Sequence, residues 1–137
     1  MDNEVALDLI LACVARGIPQ TLRARGRSME QAIPDGAQVE LVPLTVGDLP
    51  RLGDVVAARG STSGFVIHRI IGTDGNGRFL LCGDNNRAAD GWVAREHLVA
   101  RVLRVDVGTG WRAVGDAQRP PSPSVLARAV RRLRRAL

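Results

Sequence analysis

The chain has 137 residues, a formal net charge of +5 and only 3% aromatic residues. That length suits one domain with a core of its own, and so few aromatic rings argue against nucleic-acid binding by base stacking. All 19 basic residues are arginine, and because a guanidinium keeps its proton at every physiological pH, a lysine-type general base is excluded and His68 and His97 remain as near-neutral proton acceptors.

Residues 2–16 have Val5, Leu9, Ala12 and Cys13 at helical spacing, with Gly17 placed to terminate them, and predict an amphipathic helix closing a first segment, 1–17. Its apolar stretch contains Asp8 and is far shorter than the roughly 20 residues a membrane span needs. It also lacks the basic start of a secretory signal, so a soluble cytoplasmic protein is expected. Gly17-Ile18-Pro19 breaks the helical pattern, and from Thr21 the texture is β. Short apolar runs at 38–42, 54–58, 65–71, 78–82 and 99–107 alternate with turns rich in glycine and aspartate, and residues 72–77 read as a hairpin loop. A mainly β domain over 18–116 follows. Residues 117–123 hold the Pro-rich linker Arg119-Pro120-Pro121-Ser122-Pro123. Residues 124–137 then place Val125, Leu126, Ala129, Val130, Leu133 and Leu137 on one face of a helix and arginines on the other. Two readings of this helix stand: a surface for an anionic membrane or an acidic partner, and a terminal helix docked on the body with solvated arginines.

Three polar segments carry the chemistry. Ser28 lies in Gly26-Arg27-Ser28-Met29, His68 in Val66-Ile67-His68-Arg69-Ile70, and Asp84 in Gly83-Asp84-Asn85-Asn86, with Asp90 beyond it. Hydroxyl, imidazole and carboxylate are the parts of a nucleophile, its base and the group that orients the base. Each also has a bland use. Ser28 suits a turn, His68 a strand face, and Asp84 and Asp90 a polar loop with Asx-turns. His97, beside Glu96, reads as a surface residue. Cys82 reads as a buried inert thiol. The cysteines and histidines show no short ligand spacing, so neither a metal nor any other cofactor is expected.

In order and spacing these segments resemble the signal peptidase I family of serine peptidases, which shares a β-fold with the self-cleaving repressor peptidases. The resemblance runs from about Gly26 to Val107 on four pieces: Ser28-Met29 with Pro34-Asp35-Gly36; Leu52-Gly53-Asp54-Val55-Val56; Val66 to Ile70; and Cys82 to Asn86 with Asp90. His68 stands where the bacterial type has lysine and the endoplasmic-reticulum and archaeal type has histidine. The resemblance thus implies Ser28 as nucleophile, His68 as base, Asp90 as the orienting carboxylate and Asp84 as a supporting or substitute one. The backbone N–H of Ser28 and a neighbour would bind the oxyanion, with Gly26 allowing a tight turn. The implied substrate is a peptide or protein precursor bound as an added strand, with small residues before the cut. Met29, Ile33, Val39 and Leu41 are the expected pocket residues. Gln31 departs from the family's usual proline, no membrane anchor precedes Ser28, and the family's large second β-region is missing. Those departures favour cleavage of a leader from a small precursor in the cytoplasm or at the membrane surface, with an inactive peptide-binding or regulatory relative as the alternative.

Overall fold

The computed structural model describes residues 9, 12–13, 16–45, 47–59 and 65–115. Most of the helix expected at 2–16, and all of the linker and the helix expected at 117–137, lie outside the described residues. The remainder is an antiparallel β structure. Strands β1 (Gln20–Arg23), β2 (Gln38–Pro43), β3 (Val55–Arg59), β4 (Phe65–Thr73), β5 (Arg78–Cys82), β6 (Gly91–Ala94), β7 (Leu98–Asp106) and β8 (Trp111–Ala113) are joined in one sheet of order β1-β2-β7-β3-β4-β5-β6. A 3₁₀ turn, Arg95–His97, leads into β7. That strand is the hub. β2 pairs along one side of it, while β3 and then β8 share the other side.

The five apolar runs of the sequence all became strands. β1, β6 and β8 are additional and short, each three or four residues, too short to show an apolar periodicity. The hairpin at 72–77 forms between β4 and β5, closed by Asp74, whose Oδ1 accepts from the backbone N–H of Asn76 at 2.7 Å and of Arg78 at 3.1 Å.

β3 reads Val-Val-Ala-Ala because both its faces are covered. Val55 and Ala57 face a core built with Val39, Leu41 and Val105, while Val56 and Ala58 face another with Ile70, Phe79, Leu81 and Leu98. Alternate side chains of a strand point to opposite faces, so a strand buried on both must be apolar throughout. The first core also takes Met29, Ala32 and Ile33. Those side chains anchor the loop that carries Ser28, Met29 and Ile33 each contributing about 1.5–3 kcal/mol by their burial.

Candidate active site

Ser28 lies in the loop between β1 and β2, His68 in the middle of β4, and Asp90 immediately before β6. Pairing fixes them. His68 is held opposite Val56 of β3, and the Asp90 N–H donates to the Leu81 carbonyl at 2.8 Å. The fold brings Ser28 Oγ to 3.0 Å from His68 Nε2 across 40 residues of sequence, and places an Asp90 carboxylate oxygen on His68 Nδ1. With the carboxylate on Nδ1, that nitrogen carries the proton, so Nε2 presents its lone pair to the Ser28 hydroxyl. His68 is 7% exposed and the Asp90 side chain 30%, so water reaches the carboxylate while the imidazole is enclosed.

Asp84 has a different place. Arg69 Nε and Nη2 donate to its two carboxylate oxygens, each at 2.8 Å, in a bidentate pair whose side chains are 6% and 7% exposed. The remaining donors of Arg69 reach the carbonyls of Gly53 and Gly115, both at 2.8 Å. Arg69 therefore ties together β4, the turn before β3, the chain after β8 and the loop after β5. The two aspartates that the sequence left open are separated by geometry: Asp90 meets the imidazole and Asp84 meets the guanidinium.

The loop after β5 also clamps the serine loop. Asn85 donates from its backbone N–H to the Ser28 carbonyl at 2.8 Å and from Nδ2 to the Arg27 carbonyl at 3.2 Å. The Asp84 N–H points at Met29 Sδ, 3.3 Å away. Gly83 makes this approach possible, since a Cβ there would stand 2.8 Å from the Ser28 carbonyl oxygen and 2.9 Å from Ser28 Cβ. Replacing Gly83 with alanine must push the nucleophile loop away. We expect a stability loss of about 1–3 kcal/mol and a fall in turnover on the order of 10-fold or more from a displaced hydroxyl, read from a denaturant melt and a rate on the same sample.

Gly26 has φ +93°, and its N–H is spent on Asp35 Oδ1 at 2.9 Å. The tight turn thus forms, while the N–H of Ser28 has no acceptor among the described residues. Gln31 has φ +80°, the one positive value outside glycine among the described residues. A proline ring holds φ near −65°, so the residue that replaces the resembled family's proline adopts a backbone proline cannot reach. The Ile33 N–H closes the loop after Ser28 on the Met29 carbonyl at 2.7 Å. Gln31→Pro is accordingly expected to destabilise the protein by more than about 1 kcal/mol, measurable as a lowered melting temperature.

A cleft of about 370 Å³ opens beside Ser28 and His68. Met29 and Ile33 line it, as expected. Val39 and Leu41, also expected there, are 0% and 1% exposed in the core and do not reach it. In β2 those side chains project onto the face that packs with Val55, Val102 and Val105. The cleft's other walls come from β1 and from Phe65 to Ile67 at the start of β4. Val66 and Ile67 belong to the segment that carries His68, but β1 and Phe65 carried no motif, and only sheet order brings these strands to Ser28. Cys82 is buried, and burial first, then the charges of Asp90 and Asp84, push its thiol above the ordinary value, which disfavours a thiolate nucleophile. His97 is exposed in the 3₁₀ turn and stands apart from the cleft. Among the described residues no cluster of potential metal ligands occurs, and no helix is long and apolar enough to cross a membrane.

Compared with known proteins, the chain matches no protein-family model, and no curated protein is significantly similar to it in sequence.

Proposed function

We propose that this protein is a serine endopeptidase of the Ser-His-Asp signal-peptidase type, which removes a leader or signal-like segment from a precursor peptide. The observation that carries this reading is the hydrogen-bonded row of Ser28, His68 and Asp90 at the wall of a cleft.

The chemistry follows from that row. As Ser28 Oγ bonds to the scissile carbonyl carbon, its proton passes to His68 Nε2, and the Asp90 carboxylate stabilises the imidazolium. The carbonyl oxygen, now negative, is received by the Ser28 N–H and one further donor. His68 returns the proton to the departing amine as the C–N bond breaks. Water, deprotonated by the same imidazole, then releases the new carboxyl terminus from Ser28.

Two strand edges support an extended peptide as substrate. β1 pairs only with β2, and β4 meets β5 only from Arg69 onward, leaving the outer side of Phe65 to Ile67 without a ladder partner among the described residues. Both edges line the cleft. A peptide laid along either one satisfies main-chain donors and acceptors that the fold leaves open.

The test is mass spectrometry of an extended-peptide library with small residues at the first and third positions before the cut. The wild type is compared with a Ser28→Ala/His68→Ala double variant. Discrete cleavage by the wild type that the double variant lacks is the expected result. Peptides that bind and are never cut would overturn the peptidase reading in favour of a strand-edge peptide binder.

A further inference from the structure

The cleft is asymmetric in charge. Its charged lining residues are Arg23 and Arg25, beside His68, and no carboxylate lines it. Neither arginine has an ion-pair partner among the described residues. Arg23 donates from Nη1 to the Gly36 carbonyl at 2.7 Å, which places its guanidinium and leaves the charge uncompensated. The next arginine in the series, Arg27, is neutralised by Glu30 at 3.5 Å. Asp35, on the adjoining loop, spends an oxygen on the Gly26 N–H. Residues 60–64, between β3 and β4, are Gly-Ser-Thr-Ser-Gly and hold no acid.

The two cations also have a spacing. The Ala24 N–H donates to the Ala37 carbonyl at 2.8 Å and carries the β1–β2 ladder one residue past Arg23. Arg23 and Arg25 are both exposed and lie two residues apart, roughly 6–7 Å along an extended chain. An extended peptide beside that edge repeats its side chains at the same interval.

We propose that Arg23 and Arg25 make this cleft selective for substrate segments bearing acidic side chains in an acid-x-acid pattern. The proposal rests on the peptidase reading of the same cleft and adds the substrate class. A guanidinium binds a carboxylate through two parallel hydrogen bonds, and cations on the walls of an apolar cleft raise the local concentration of an anionic segment. Arg23 and Arg25 line the same cleft as Ser28 and His68.

The experiment uses the full chain and three peptide sets that differ only in carrying acidic, neutral or basic residues at alternate positions, assayed for kcat/KM at low and high salt. Acidic peptides are expected to exceed neutral ones by about 5- to 10-fold at low salt, with the ratio shrinking as salt screens the pair. Arg23→Glu/Arg25→Glu is expected to invert the order in favour of basic peptides, and Arg25→Gln to flatten it, with circular dichroism confirming that both variants fold. Cleavage with no charge preference, or a preference that charge reversal leaves in place, would overturn the proposal while sparing the peptidase reading. Should no peptide be cut, the peptidase reading fails. Fluorescence anisotropy with labelled peptides and the Ser28→Ala protein then decides the charge selectivity alone: tighter binding of the acidic set that Arg25→Gln abolishes upholds it, and equal binding of the three sets refutes it.

Discussion

Asp90→Asn is expected to lower kcat about 10⁴-fold while leaving stability within about 1 kcal/mol of wild type. The carboxylate sits on His68 Nδ1, where its charge keeps the proton on that nitrogen and leaves Nε2 able to accept from Ser28. Asparagine has nearly the same shape. Its amide can donate to Nδ1, which moves the imidazole proton to Nε2 and points an N–H at the serine in place of a lone pair. The hydroxyl then has no base. The fold loses little because the Asp90 side chain is 30% exposed, so water solvates whichever group stands there. Single-turnover kinetics on a peptide cleaved by the wild type, with a thermal melt of the same preparation, separates the two effects. A rate within 10-fold of wild type would remove Asp90 from the mechanism.

Asp84→Asn is expected to show the opposite pattern, a large loss of stability that lowers activity through unfolding. Arg69 and Asp84 are buried against each other, with two hydrogen bonds between them and two more from Arg69 to the Gly53 and Gly115 carbonyls. An amide offers one oxygen where the carboxylate offered two, and it leaves a buried guanidinium without its counter-charge. Breaking such a pair on one side costs about 3–5 kcal/mol, a fall in Tm of more than 10 °C for a domain this small, by the usual ~4–8 °C per kcal/mol. Arg69→Met is expected to be as severe. The double variant Arg69→Met/Asp84→Leu should recover only part of the loss, because the two glycine carbonyls stay without their donor. A melting temperature unchanged by Asp84→Asn would mean that the ion pair does not support the fold.

These two aspartates show what the sequence could and could not resolve. Asp84 and Asp90 lie in one polar loop, six positions apart, and both are plausible partners for a histidine. Residue type and spacing do not say which carboxylate meets which cation, since that depends on where β4 runs relative to β5 and β6. Arg69 follows His68 by one residue, so its side chain points to the other face of β4 and takes Asp84 there, while His68 takes Asp90. The pocket residues follow the same rule. Met29 and Ile33, in the serine's own loop, reach the cleft because they are local to it, whereas Val39 and Leu41 are carried into the core by β2. The segment Phe65 to Ile67 is the reverse case, singled out only as the run leading into His68 and yet placed on the cleft wall.

What the amino-acid order determined by itself was local or chemical. Apolar runs bounded by glycine and aspartate specified the five longer strands and the β4–β5 hairpin, because strand and turn preferences act over a few residues. The absence of lysine restricted the base to histidine, because no other side chain present has an acceptor nitrogen suited to neutral pH. Tertiary structure alone decided the rest. It closed the 3.0 Å contact between Ser28 and His68, sorted the two aspartates, assigned Gln31 its positive φ, and placed Arg23 and Arg25 on the wall of the cleft that Ser28 lines. Each of these depends on which strands are neighbours and which face a side chain takes. Register is a property of the whole sheet, and a shift of one residue would exchange every face.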